Sequence, residues 1–199
     1  MVTMDHGLPS RREFGALLLG LLAAGSAFAV DAPDSFASNF SGLRLRDQDD
    51  HDFAFGRLTG RVLLVNFVFT GCSSACPLQT QALAQVQSGL PADVRQGVHF
   101  VSVSLDPLTD TPSALKAYAA RFAIDHRHWS FVTGQPSDVG RFADRLKLYR
   151  DGRGPRRLED HKTALWLVDA KGRLVQRLHG QPVDARRLHD ELVALRRMA

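Results

Sequence analysis

Two nearly continuous apolar runs constrain the fold more than any other feature of this chain of 199 residues. The first is "RVLLVNFVF", residues 61–69, and the second is "VHFVSVSL", residues 98–105. Both are rich in β-branched and aromatic residues and have little polar alternation, which is typical of strands buried on both faces of a sheet. Such a sheet needs helices on each side. The two runs therefore predict an α/β protein with a central sheet.

The segments around these runs alternate between helix and strand patterns. Apolar residues recur at helical spacing after Pro77, and Thr111 followed by Pro112 is typical of a helix N-cap and first turn. Other patterns predict a β-hairpin over residues 43–46 and 52–55, a strand over 130–134, a helix over 136–148, a second hairpin over 163–169 and 173–178, and a last helix over 184–197. The prediction is an α/β sandwich with a mixed sheet flanked by helices and an N-terminal β-hairpin.

The first 29 residues have the order of an export signal. A pair of arginines, Arg11 and Arg12, precedes an apolar stretch that ends on the small-x-small pattern Ala27-Phe28-Ala29. The pair is similar to a twin-arginine signal. An uncleaved membrane anchor is the alternative, although the apolar stretch is short for a span. We interpret residues 1–29 as the signal, 30–42 as a polar linker and 43–199 as one folded domain.

Composition limits the classes of partner. Hydrophobic residues make up 44% of the chain, enough for one core, and the formal net charge is only +4. The basic residues are scattered rather than gathered into a stripe with interleaved aromatic residues. The sequence therefore predicts no nucleic-acid interface.

The only two cysteines of the chain, Cys72 and Cys76, follow the first apolar run directly. In an oxidising compartment they can form a disulfide, but so short a loop stabilises a fold only slightly. The predicted order of strand, turn and helix places them at a helix N-terminus, where free N–H groups and the helix dipole lower the pKa of a thiol. This position favours redox or metal chemistry over a structural disulfide.

Three sequence blocks carry a resemblance to a known family. They are "FVFTGCSSACP" from Phe67, "SLDPLTDTPSALKAY" from Ser104 and "DHKTALWLVDAKGRLV" from Asp160. In this order they resemble the Sco/SenC family, thioredoxin-like proteins that deliver copper to the dinuclear copper centre of cytochrome c oxidase. Ser73 departs from the family pattern, which has proline after the first cysteine. The resemblance covers nearly all of residues 43–195 and implies a thioredoxin-like fold.

The resemblance implies that copper is bound by Cys72, Cys76 and His161. Two thiolates and one imidazole suit Cu(I), and they also accept Cu(II) with one further, weaker ligand. Asp106 has two interpretations: it supports the copper site or engages the partner protein, or it belongs to a turn with Asp110 before the next helix.

Two functions remain open, and both use the same thiols. The first is an exported copper metallochaperone of the periplasm or cell envelope, whose acceptor is an oxidase subunit with a dinuclear copper centre. The second is a thiol–disulfide oxidoreductase that keeps the cysteines of the acceptor reduced, with Cys72 as nucleophile and Cys76 as resolver. Copper delivery is the preferred interpretation. A protein of this kind stays tethered to the membrane if its signal is not cleaved.

Overall fold

The two apolar runs form β3 (Val62–Val68) and β4 (Val98–Ser104), which are neighbouring parallel strands at the centre of the sheet. Every residue of both strands is buried, as the patterns predict. The computed structural model describes residues 35–149 and 157–199, and the predicted signal over residues 1–29 lies outside them.

Helices and further strands alternate along the described residues. The other strands are β1 (Leu45–Asp47), β2 (Asp52–Phe53), β5 (Trp129–Gly134), β6 (Ala164–Val168) and β7 (Leu174–His179). The helices are α1 (Phe36–Asn39), α2 (Ala75–Gly89), α3 (Ala92–Gln96), α4 (Pro112–Ala119), α5 (Pro136–Arg145) and α6 (Ala185–Arg197). Short 3₁₀ turns occupy Phe55–Leu58, His126–His128 and Leu158–Asp160.

The described strands form a mixed sheet of seven strands in the order β2-β1-β5-β4-β3-β6-β7. Strands β3, β4 and β5 are parallel to one another. Strand β1 runs antiparallel to β5 and to its hairpin partner β2, and strand β6 runs antiparallel to β3 and to its hairpin partner β7. The predicted mixed sheet, its flanking helices and its N-terminal hairpin are confirmed.

This topology gathers three loops at one edge of the sheet. Because β3 and β4 are parallel, the loops that follow them begin at the same edge. Strand β6 is antiparallel to β3, and Val65 pairs with Trp166, so the chain just before β6 lies beside the end of β3. The cysteines follow β3, Asp106 follows β4 and His161 precedes β6. The fold therefore brings all the predicted site residues to one edge.

Each face of the sheet packs against its own layer of helices. One hydrophobic core includes Phe36 from α1, Phe40 directly after that helix and Phe142 from α5. The other core includes side chains of α2, α4 and α6, such as Leu83, Leu115, Leu188 and Leu192. Within the described ranges, no helix is long and apolar enough to cross a membrane.

The predicted linker over residues 30–42 is wrong for the part that the structure describes. Residues 36–39 form α1, with Ser35 as an N-cap whose side chain accepts a hydrogen bond from the Ser38 N–H. Phe36 and Phe40 are 4% and 6% exposed, and both rings contact Phe55 and Phe142. Burying such a ring contributes about 2 kcal/mol, which outweighs the polar, turn-prone composition of the segment. The folded domain therefore includes residues before position 43.

Candidate functional site

The cysteine loop, residues 69–74, connects β3 to α2. Ser74 is the N-cap residue of α2, but its side chain makes no capping hydrogen bond. The sulfur of Cys72 takes that role, because it accepts a hydrogen bond of 3.3 Å from the Cys76 N–H. Pro77 has no N–H to satisfy, which suits the first turn of a helix. The local sequence thus places the Cys72 sulfur against the positive end of α2.

The two thiols differ in exposure and in acidity. Both are free, with Cys72 partly exposed and Cys76 only 3% exposed. Partial burial opposes ionisation of Cys72, but the N–H groups of Cys76, Ser74 and Ala75 and the Cys76 thiol lower its pKa. Burial raises the pKa of Cys76 to about 12, and its hydrogen bond to Cys72 acts in the same direction. The lowered pKa that the helix N-terminus predicts is confirmed for Cys72 and wrong for Cys76, where burial dominates.

Asp110 fastens the cysteine loop to the loop after β4. Its carboxylate, which has no exposed surface, accepts hydrogen bonds from the Thr70 N–H at 3.1 and 3.2 Å. It also accepts from the hydroxyls of Thr70 and of Ser104, the latter at 2.6 Å. Sequence reasoning assigned Asp110 to turn chemistry and missed this contact, because residues 70 and 110 are adjacent only in the tertiary structure.

Asp106 is half-buried and contributes mainly through its backbone to the contacts of this loop. Its carbonyl accepts hydrogen bonds from the Thr109 and Asp110 N–H groups, and its own N–H donates to Ser104 Oγ at 3.0 Å. This is the turn interpretation of the sequence. The supporting role of Asp106 at a copper site stays a prediction.

His161 lies at the same edge, held by contacts with the chain that precedes it. Its Nδ1 is hydrogen-bonded to the Leu158 carbonyl, and its backbone forms an isolated bridge with Tyr149. A carbonyl only accepts, so Nδ1 is the donor in this bond, and in the neutral imidazole Nε2 is the nitrogen with a lone pair for a metal ion. The ring also meets Phe69, the first residue of the cysteine loop, edge to face with centroids 6.0 Å apart. His161 is therefore oriented and in contact with the cysteine loop.

Cys76 and His161 line one small pocket, together with Phe67 and Gln79. Over residues 35–149 and 157–199, however, no three Cys, His, Asp or Glu side chains stand close enough together to hold a metal ion. The structure thus brings the predicted ligands to one edge of the sheet but does not assemble them into a closed site. Their chemistry, two sulfurs and an imidazole nitrogen, fits copper.

The fold and site together define the class of protein: a thioredoxin-like domain with a dithiol at the N-terminus of the helix after a central strand. The chain belongs to the SCO1/SenC family, whose model matches residues 31–196. A SCO1 protein homolog of Bacillus subtilis (strain 168) is 29% identical over 170 residues, 83% of this chain and 85% of that protein.

Solved structures agree with this assignment. A SCO1/SenC family lipoprotein from Bacillus anthracis has a TM-score of 0.67 at 26% identity, covering 77% of this chain and 92% of that one. BsSco, described with a disulfide switch as a member of the Sco family of cytochrome c oxidase assembly proteins, has a TM-score of 0.68 at 24% identity, covering 85% and 99%. Yeast Sco1 with copper bound has a TM-score of 0.64 at 24% identity, covering 76% and 84%.

Proposed function

We propose that the protein is a copper carrier that binds one copper ion through Cys72, Cys76 and His161 and passes it to an acceptor protein. The observation that carries this proposal is the shared pocket of Cys76 and His161, which lies beside the helix N-terminus that holds the Cys72 sulfur. Membership of the SCO1/SenC family supports the same function. The acceptor is inferred to be an oxidase subunit with a dinuclear copper centre, because BsSco is described as one of a family of oxidase assembly proteins.

The side chains of the site suit copper in both oxidation states. Cys72 is the partly exposed thiol with the lowered pKa, so its thiolate is the first ligand available to an incoming ion. Cys76 must release its proton on binding, which makes copper uptake dependent on pH. His161 presents Nε2 as a third donor, which Cu(II) needs more than Cu(I) does. Transfer then proceeds by exchange of these ligands for those of the acceptor.

Thiol–disulfide exchange is the second candidate function. The contrast between an accessible Cys72 of lowered pKa and a buried Cys76 of raised pKa is what a nucleophile and a resolving thiol require. In this role the protein reduces a disulfide of the acceptor, and Cys72 and Cys76 become a disulfide themselves. His161 takes no part in that exchange.

The protein is inferred to act in the cell envelope after export. The paired arginines and the small-x-small ending within residues 1–29 support an export signal. The SCO1/SenC relative of Bacillus anthracis is described as a lipoprotein, a form that is held at a membrane. Whether the signal is cleaved or retained, an exported domain would meet its acceptor outside the cytoplasm.

Copper titration of the purified, reduced protein tests the proposal. We expect one copper ion per chain, and we expect Cu(II) to give thiolate-to-metal charge-transfer absorption. Cys72→Ser or Cys76→Ser should abolish both the absorption and tight Cu(I) binding, because each removes one of two soft ligands. A reduced protein that takes up no copper but exchanges disulfides readily would favour the second candidate. A Cys→Ser variant that still loads copper tightly would place the ligands elsewhere.

A further inference from the structure

The buried amide of Gln79 lies between the two segments that carry the proposed copper ligands. Gln79 follows Cys76 by three residues in α2, and residues three apart share a helix face. Its side chain is 3% exposed and lines the pocket that Cys76 and His161 also line. A buried amide is costly unless its donor and acceptor groups are both bonded, so its partners define its role.

One partner of Gln79 belongs to the chain beside His161. Gln79 Nε2 donates a hydrogen bond of 2.7 Å to the Gly180 carbonyl. The Gly180 N–H in turn donates to the carbonyl of Thr163 at 3.0 Å, and Thr163 is two residues beyond His161. A continuous hydrogen-bonded path therefore connects the helix that carries Cys76 to the segment that carries His161.

The other partner fixes the orientation of the amide. Trp129 Nε1 donates to Ser102 Oγ at 2.9 Å, and Ser102 Oγ donates to Asn66 Oδ1 at 2.7 Å. Asn66 Nδ2 then donates to Gln79 Oε1 at 2.8 Å. An indole N–H can only donate and the Gly180 carbonyl can only accept, so every bond of this buried chain has one direction. Gln79 is consequently held in a single orientation.

Because Gly180 has no side chain, its carbonyl can lie close to the Gln79 amide. A Cβ atom at this position would lie 2.2 Å from Gln79 Nε2 and 3.1 Å from the Ala164 nitrogen. Glycine has no such atom, so the backbone can approach the amide directly. A methyl group here would push the flexible end of Gln79 away from its partner.

We propose that Gln79 is a positioning residue for copper, which rests on the proposed copper-carrier function. Its amide connects α2, which carries Cys76, to the segment that carries His161, and we expect this connection to favour Cu(II) binding. Cu(II) requires the imidazole as well as both thiolates, whereas Cu(I) is held by two thiolates alone. Groups that orient metal ligands without touching the metal commonly change metal affinity by about 10–100-fold.

Gln79→Met tests the proposal, with Gln87→Met as the matched control. Methionine keeps the approximate volume and removes both hydrogen-bonding groups. Gln87 lies in the same helix, is 2% exposed, and bonds both the N–H and the carbonyl of Asp125, at 2.8 and 3.2 Å. Each variant thus removes one buried amide that makes two hydrogen bonds, but only Gln79 borders the pocket of Cys76 and His161.

The purified, reduced full chain and its variants are titrated with Cu(II) and with Cu(I), and their thermal unfolding is followed. We expect both variants to unfold at lower temperature. Only Gln79→Met should weaken Cu(II) binding by about 10-fold or more and move its charge-transfer band. Its Cu(I) affinity should change much less. Gln87→Met should keep the wild-type Cu(II) spectrum and affinity.

Gly180→Ala provides a second variant that alters no side chain of α2. Its methyl group displaces the Gln79 amide, so it should reproduce the spectral change even if Gln79→Met fails to fold. An unchanged Cu(II) band in both variants, or an equal change in Gln87→Met, would overturn the inference while the copper-carrier function stands. A wild-type protein that takes up no copper would overturn the proposed function and this inference with it.

Discussion

At the scale of single residues, the two cysteines are made different by burial. Cys72 Sγ receives the Cys76 N–H at the start of α2, and its pKa is lowered. Cys76 is three per cent exposed, and its pKa is raised to about 12. Identical side chains four positions apart therefore differ in access and acidity: the Cys72 thiol is partly exposed, whereas the Cys76 thiol is buried.

His161→Ala distinguishes metal binding from disulfide exchange at this scale. The variant removes one donor and leaves both thiols and the α2 N-terminus in place. Cu(II) binding should be lost or weakened by at least about 10-fold, while Cu(I) affinity falls only in part, because Cu(I) accepts two thiolates. The measurements are Cu(II) absorption, Cu(I) affinity and the loading of an apo-acceptor.

The rate of disulfide exchange is the internal control for His161→Ala. That rate depends on thiolate character and access at Cys72, which the variant leaves unchanged. If exchange collapsed while Cu(II) binding remained intact, His161 would not be a ligand.

At the scale of elements, a buried carboxylate connects two loops. Asp110, the residue before the N-cap of α4, accepts the Thr70 N–H of the cysteine loop, and it also accepts the hydroxyl of Ser104 at the end of β4. Its neighbour Thr111 caps α4 instead, accepting the Ala114 N–H at 3.2 Å. Adjacent residues therefore serve different elements, and substitutions can separate their effects.

Asp110→Asn should lower both stability and copper affinity. The amide NH₂ cannot accept the hydrogen bonds that one carboxylate oxygen accepts, which costs about 1–3 kcal/mol of the free energy of unfolding. It should also loosen the cysteine loop and weaken copper binding by about 10-fold. Urea unfolding and copper titration measure the two effects.

Thr111→Ala is the matched control for Asp110→Asn. Loss of the cap should cost about 1 kcal/mol and leave copper affinity unchanged, since the contacts of the cysteine loop remain. Equal losses of copper affinity in the two variants would show that the Asp110–Thr70 contact does not support the site.

At the scale of the whole molecule, the sheet separates the site from a buried histidine. His99 is the second residue of β4 and pairs with Leu63, so it lies about 20 Å along the strand from the cysteine edge. Its Nε2 bonds Ser130 Oγ at 2.9 Å, while its buried Nδ1 has no hydrogen-bond partner within residues 35–149 and 157–199. Burial, with smaller contributions from Arg61 and His128, lowers the pKa of His99 to about 3.

This histidine makes global stability depend on pH. The unfolded chain takes up a proton near pH 6.5, whereas folded His99 stays neutral until about pH 3. The unfolded state therefore binds more protons in this window, and stability falls as the pH falls, by up to about 1.4 kcal/mol per unit. Above pH 6.5 both states are neutral at this group, and its contribution to the pH dependence ends.

His99→Leu should flatten this dependence between pH 6.5 and about 4.5, above the range in which carboxylates dominate acid unfolding. Denaturant unfolding of wild type and variant at several pH values measures the slope. A variant with the wild-type slope would assign the pH dependence to other groups.

Patterns within short stretches of the chain predicted the local structure. The uninterrupted runs at β3 and β4 predicted strands buried on both faces, and Thr111-Pro112 predicted the start of α4. The cysteine motif and the block around His161 predicted the family and the residues proposed to bind copper. These signals are local in the chain: periodicity, capping and motif spacing depend on neighbouring residues, so a sequence displays them directly.

The contacts between distant segments come from the tertiary structure alone. It placed α1 in the core, tied Asp110 to Thr70, connected Gln79 to Gly180 and separated the acidities of Cys72 and Cys76. No local pattern marks these residues, because burial and long-range hydrogen bonds depend on which elements the sheet brings together. Their energies arise from desolvation and partner geometry, which exist only once the chain has folded.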